Sequence, residues 1–528
     1  MQSTVVRPAD PELRAALRLA AYFALALFLF HLAANLWQTH IGYGYFRDEF
    51  YYILCGRRLA WGYVDHGPLV AIQARLAETL FGRSLAGLRS LSALGGAARV
   101  FLSGLLAWSL GGRRPAQTLA MVGVAFAPIY LGVDSILSMN SSESVFWMTS
   151  LLAVILMANG RTQKLWLLFG LSAGLGLLNK PSMTFFLLAL LAALIISPQR
   201  TLLRSKWAVY GVAVMFLLVL PNILWQFHNH WPTWEFLHNG RVEHKNKELA
   251  PPIFLLTQIL NLNPAAAFIW IPGLIYLLRR RPHRYLGLTY VFFLIGMMAL
   301  HAKDYYVVPI YPILFAAGGL AWQQRFRLRR RVQQNRAFAF PAAILTMAAV
   351  SIAVMPMHTP FLRPETFIAY ARATGLYKTS TNSENRSSGP LPQFYADRFG
   401  WQEEVDIISR AVNQLSPQDR ADALIKVSNY GHAGAIDFLG VNLPPAVSGH
   451  NNYFLWGMGP KPSPHPGRVI ILIERTTPEH LHLFFKDVTL LGHTGTTYSM
   501  PGEDCPIYLL QNPIVDPTNL WQEEKHYD

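Results

Sequence analysis

Two carboxylates stand side by side just past the first long apolar run of this chain, in Tyr45-Phe46-Arg47-Asp48-Glu49-Phe50-Tyr51-Tyr52. The run covers roughly residues 17–37, long enough to cross a bilayer. Ionisable groups at a membrane are costly and need a reason. Asp48 has the chemistry of a general base that takes a proton from an attacking hydroxyl. Asp48 and Glu49 would equally serve as the acidic first turn of an interfacial helix, where a helix N-terminus favours negative charge. A second acidic group follows in Trp61-Gly62-Tyr63-Val64-Asp65-His66-Gly67-Pro68, which also reads as a solvated turn.

Two lysines are out of place in a similar way. Lys303, in His301-Ala302-Lys303-Asp304-Tyr305-Tyr306, falls in a short loop between apolar runs. A lysine is a point charge suited to phosphate, and the tyrosines could hydrogen-bond an oxyanion. A snorkelling lysine among interfacial aromatics is the plainer reading. Lys180, in Leu178-Asn179-Lys180-Pro181, reads likewise. A further stretch holds Trp225, His228, His230, Trp231, Trp234, Glu235, His238 and His244. Its aromatics could stack on a sugar or a prenyl chain. A histidine beside a carboxylate there could bind a divalent metal, although HExxH spacing is missing.

These residues need a membrane scaffold, and the composition supplies one. The chain has 528 residues, 52% hydrophobic and 14% charged, against about 25% charge in a soluble protein. The pattern is that of a polytopic membrane protein. The net charge of +15 sits in short loops between apolar runs, which sets topology and argues against nucleic-acid binding. Two cysteines, Cys55 and Cys505, are too few for a disulfide framework or a cysteine-rich metal site.

Hydropathy suggests about eleven spans, near 17–37, 88–110, 117–133, 143–158, 165–179, 182–197, 207–225, 264–278, 285–300, 306–322 and 337–355. Arg7, Arg14 and Arg18, with the basic loops around Arg113, Arg161, Arg200, Arg279–Arg281 and 325–336, mark the cytoplasmic side. The N-terminus is then inside. Segments 38–87, 134–142, 226–263 and 301–305 and the tail face outward, so the unusual polar residues converge on one face. Within the first outer segment, 48–60 reads as a helix and 69–81 as an interfacial amphipathic helix. The tail mixes a helix at 402–415 with strands at 423–427, 469–474 and 506–511, and a proline-rich turn at 460–466. The expected fold is mainly α: a transmembrane bundle over 1–355, with outer-loop interfacial helices at about 45–85, and an extracytoplasmic α/β domain over 356–528.

The motifs together resemble bacterial relatives of the dolichyl-phosphate-mannose-protein mannosyltransferases, of the GT-C glycosyltransferase superfamily. The likeness rests on the Phe46–Tyr52 and Ala60–Leu69 strings, on Gly174-Leu175-Gly176-Leu177-Leu178-Asn179-Lys180 and Pro221-Asn222-Ile223-Leu224-Trp225-Gln226, and on Trp231–Phe236 and Lys303–Tyr306 with Pro309 and Pro312. In the tail it continues through Asn429-Tyr430-Gly431 and Ser448-Gly449-His450-Asn451-Asn452. It implies transfer of a monosaccharide from a polyprenyl-phosphate donor to a hydroxyl of a protein, lipid or glycan at the inner membrane's outer face, by inverting displacement. Asp48 matches the family's base; Asp65 aligns with a second carboxylate, and Glu49 is grouped with them. Lys303 and Tyr306 match residues near the lipid phosphate, with Lys180 a weaker match. His66 stands where the related lipid A aminoarabinose transferases carry Lys, and Gly67 where Pro is common. Tyr52, Tyr63, Trp231 and Glu235 are candidates to bind substrate. The rival readings are a multi-pass lipid or sugar transporter or flippase, and a non-catalytic scaffold.

Overall fold

A computed structural model describes residues 11–243, 245, 247–328, 333–376, 389–458, 467–516 and 521–528. Arg7, His244, the middle of the basic 325–336 loop and the 460–466 turn lie outside the described residues. The chain forms two compact units. One comprises 1–37, 86–223 and 248–361; the other comprises 38–85, 224–247 and 362–528. The segments 38–85 and 224–247 thus fold with the tail.

The first unit is helical, because its runs of Leu, Ala, Val and Phe bury backbone polar groups that only a helix satisfies internally. Helical segments cover each of the eleven apolar runs, some of them in two pieces. Among the described residues, five helices are long and apolar enough to cross a membrane, including Leu85–Ser109, Met139–Ala158 and Lys206–His228; two sharply bent pairs raise the number to seven, short of the eleven spans expected from hydropathy. Proline explains the departures from simple spans. The 117–133 run is split into Arg114–Ala125 and Pro128–Val133, with Pro128 opening the second piece. The 306–322 run starts as a 3-10 turn, Asp304–Ile310, holding Pro309. The helix Pro251–Asn261 lies within the 226–263 segment, outside the eleven apolar runs. Inside this unit Arg99 grips Asp134 with two bonds, of 3.0 and 2.9 Å, and reaches the Ser141 carbonyl at 2.8 Å. That fork pairs the two buried charges.

The second unit is built on a five-stranded sheet: β1 (Ala423–Val427), β2 (Ala446–Val447), β3 (Val469–Ile473), β4 (Phe485–His493) and β5 (Pro506–Pro513). The order is β2-β1-β3-β5-β4. The first three strands are parallel and the last two pair antiparallel. β3, Val-Ile-Ile-Leu-Ile, is buried throughout, as expected of a central strand covered on both faces. Strands β1, β3 and β5 were legible. β2 has only two residues, and β4 is a largely exposed edge without clean alternation.

The helix Tyr430–Leu439 follows β1 and leads to β2. It packs on the helix Arg47–Arg57, which carries Asp48. Backbones approach closely there: a Cβ at Gly434 would lie 2.9 Å from the Phe50 Cβ, and one at Gly431 would collide with the Arg47 side chain. The helix Pro68–Phe81 belongs to the same unit, and its Pro at the first turn is favoured there. Both cysteines are buried and unpaired.

Candidate active site

The Arg47–Arg57 helix begins where the sequence places its acidic pair, and the two acids part company. Glu49 is fully buried and turns back, accepting the Phe46 N–H at 2.8 Å. That is the carboxylate half of a capping box. Asp48 keeps part of its side chain in solvent, at 29% exposure. Its Oδ1 accepts a 2.9 Å hydrogen bond from the Tyr430 hydroxyl, and the Arg47 Nε lies 3.5 Å away.

Tyr430 reaches Asp48 from the tail. β1 ends at Val427, and Asn429 caps the next helix, its Oδ1 accepting from the Gly431 and His432 amides. The connection leaves β1 for β2 on one side, and the chain then returns to β3 on the other. The crevice outside a strand's carboxyl end at such a reversal is where open α/β sheets place ligands.

Asp65 is held by a matching contact. The Tyr51 hydroxyl donates to its Oδ1 at 2.9 Å, and the rings of Tyr51 and Tyr430 stack at 4.6 Å. Each ring of one stacked pair therefore presents its hydroxyl to a different carboxylate. Burial pushes the Asp65 carboxyl above the usual range; His66 and the Tyr51 hydroxyl oppose this, while Asp48 adds to it. Tyr52, packed against His66 at 5.1 Å, is pushed up by burial first and then by Asp48 and Asp65. The Asp65 loop is pinned by Asn452, whose side-chain oxygen accepts the Val64 N–H at 2.7 Å. The preceding Asn451 sits at φ 49° and ψ −131°. Such backbone costs of order 1–3 kcal/mol and persists where surroundings over-determine it.

Other expected residues take structural positions. His66 is buried among Tyr51, Tyr52 and Tyr63, with Nδ1 donating to the Gly67 carbonyl at 2.7 Å and Nε2 4.0 Å from Asp65. Tyr63 is buried and its hydroxyl donates to the Cys55 carbonyl at 2.8 Å, a contact that fastens the loop. Glu235 pairs with Lys525 at 2.7 Å. Trp231 is half exposed, at φ 58°, before the helix Pro232–Val242.

The lysines belong to the helical unit. Lys180 is buried; its Nζ donates to the Asn140 Oδ1 at 2.7 Å and meets Glu143 at 3.1 Å. Ser182 also bonds Glu143. The ammonium sits 4.3 Å from the Tyr306 ring centroid and 5.4 Å from that of Tyr305. Lys303 immediately precedes the turn carrying these tyrosines, whose Asp304 is held by Asn261 at 3.0 Å. Sequence reasoning missed Glu143 and Asn140. Their signal was an acid and an amide at the start of an apolar helix.

A divalent metal finds one group of donors among the described residues: His450, His526 and Asp528, with ligand atoms within 4.8 Å of one another. Lys245 already lies 3.3 Å from Asp528, and His450 contacts Asp528 at 3.3 Å. The His450–His526 backbone bridge also holds this stretch of the tail. These contacts describe a fastening of the tail.

Replacing Tyr430 with Phe keeps the stack on Tyr51 and deletes a hydrogen bond to a charged group, worth about 1.5–3 kcal/mol. If Asp48 is the reactive group, turnover is expected to fall about tenfold or more, with the thermal midpoint little changed. Unchanged turnover would show that this hydroxyl does not set Asp48.

Residues 65–225 match the family model of the dolichyl-phosphate-mannose-protein mannosyltransferases. No protein of curated function matches the chain. Among solved structures, ArnT from Cupriavidus metallidurans bound to undecaprenyl phosphate overlays with a TM-score of 0.59 at 16% identity, covering 93% of this chain and 97% of that one. Its apo form gives 0.59 at 15% identity, covering 92% and 97%. The arabinofuranosyltransferase AftD from Mycobacteria overlays more loosely, at 0.47, over 79% of this chain and 30% of that one. The chain is a multi-pass membrane protein that shares the fold of ArnT, and within it residues 65–225 are similar to the mannosyltransferase family.

Proposed function

We propose that the chain is a membrane glycosyltransferase. It moves a monosaccharide from a polyprenyl-phosphate donor to a hydroxyl acceptor at the outer face of the cytoplasmic membrane. The observation that carries this reading is Asp48: a part-exposed carboxylate at a helix start, oriented by the Tyr430 hydroxyl and flanked by Arg47. The matched mannosyltransferase model and the fold shared with ArnT, solved with undecaprenyl phosphate, support it.

In this reading the acceptor hydroxyl attacks the anomeric carbon and its proton passes to Asp48. The bond from that carbon to the phosphate oxygen breaks, and its electron pair leaves on the polyprenyl phosphate. One displacement inverts the anomeric centre. Charge grows on the leaving phosphate, so cationic and hydroxyl donors lower the barrier most when they meet it in the transition state. Lys303, Lys180 and Tyr306 are assigned to that task. Asp65, raised by its burial, holds the sugar or acceptor, and Tyr52 and Trp231 line the substrate. Glu49, Tyr63 and Glu235 are left to the scaffold, and His66 supports Asp65.

The test is incubation of the purified protein in lipid nanodiscs with radiolabelled undecaprenyl-phosphate sugars and a membrane extract as acceptor source. Label is expected to leave the carrier and appear on acceptor with inverted anomeric configuration. The same protein reconstituted in sealed vesicles that moves label across the bilayer on an intact carrier, without cleavage, would establish the flippase instead.

A further inference from the structure

Behind Asp48 runs a line of buried charges that the displacement itself does not use. His432 is 1% exposed, in the helix that also carries Tyr430. Its Nδ1 lies 2.7 Å from Glu404 Oε2, and its Nε2 lies 3.1 Å from Glu503 Oε2. Ionised carboxylates only accept, so a ring flanked by two of them offers a proton to Glu404 and a positive charge to Glu503 only as the imidazolium. The other Glu503 oxygen lies 3.4 Å from Arg47 Nη1, and Asn429 Nδ2 donates to Oε2 at 3.2 Å. The guanidinium then meets Asp48 through Nε at 3.5 Å.

The signs alternate along the line: Glu404 negative, His432 positive, Glu503 negative, Arg47 positive, Asp48 negative. Each buried member is tolerable because its neighbours have the opposite charge. The groups come from four places in the chain. Glu404 lies on the helix Trp401–Gln414, where Trp401 also sets its ring edge-on to His432. Glu503 and the Cys505 thiol, which bonds His432, precede β5. Arg47 opens the helix of Asp48, its amide anchored on the Asp397 carbonyl at 3.0 Å.

We propose that His432 is a positioning residue for Asp48: as an imidazolium it holds Glu503, Glu503 holds Arg47, and Arg47 fixes the reactive carboxylate. This rests on the reading of Asp48 as the base. Loss of the imidazolium would leave Glu404 and Glu503 as like charges drawing Arg47 inward, away from Asp48. The carboxylates push His432 up against the effect of its burial. The imidazolium is therefore kept beyond the ordinary histidine range, and the line should hold through neutral pH.

The test is donor kinetics of the full-length protein in nanodiscs. His432→Gln is expected to lower kcat about tenfold with the donor KM within twofold. His432→Gln combined with Glu404→Gln removes one charge of each sign and is expected to recover at least half of the loss on a logarithmic scale. A residue that merely fills space would give the double variant the same or a larger defect. Wild-type kcat in His432→Gln, or no recovery in the double, overturns the proposal. If His432→Gln does not accumulate in membranes, Glu503→Gln breaks the next link and carries the same expected fall; unchanged kcat there overturns it too. Asp48→Asn separates the two readings. If it stays active, the base assignment falls and this proposal with it. If it is inactive while His432→Gln is normal, only the positioning role fails.

Discussion

Asp48→Asn is expected to reduce sugar transfer by about 10²–10⁴-fold, the usual contribution of a positioned general base. The substitution is nearly isosteric. Its amide oxygen can still accept from the Tyr430 hydroxyl, now 2.9 Å from the carboxylate. The helix start is capped by Glu49, not Asp48, so folding and membrane insertion should survive. The measurement is single-turnover release of label from undecaprenyl-phosphate sugar, alongside gel filtration and a thermal midpoint. Activity within about threefold of wild type, a barrier change near 0.7 kcal/mol, would remove Asp48 from the chemistry.

The second large effect is on stability. Lys180→Ala strips the partner from buried Glu143, leaving it Ser182. Breaking a buried ion pair on one side costs about 3–5 kcal/mol, because the remaining charge is uncompensated. A marked fall in the thermal midpoint is expected, whatever the role of Lys180 in phosphate binding. Removing both charges with Lys180→Met and Glu143→Leu should restore much of the stability. That double variant then isolates the chemistry. If Lys180 meets the donor phosphate, it will be stable yet slow; if it transfers sugar normally, Lys180 is only a structural cation. A single variant as stable as wild type would contradict the buried pair itself.

Residue chemistry led to Asp48 and Asp65 because acids beside an apolar span are rare enough to stand out. It grouped Glu49 with them, and there the local turn made the difference: one residue further along the helix, the same carboxylate points back to its own N-terminus and becomes a cap. His66 and Tyr63 stand in a motif-like string, yet their rings pack as a buried stack at 4.6 Å. Sequence alone does not reveal which side of a turn meets the core. Tyr430 was visible only as part of a tail segment like those of the mannosyltransferase relatives, with no task attached.

What the sequence determined by itself was the membrane bundle, the two helices within 45–85 and three of the five strands. Hydropathy and periodicity are sums over neighbouring residues, and a helix needs only its own segment to satisfy its backbone. The tertiary structure alone decided which groups meet. Asp48 and Tyr430 are 382 residues apart, and Arg47 and Glu503 are 456 apart. Their contacts depend on chain closure, close helix packing and the balance of buried charge, none of which is written in any local stretch of sequence.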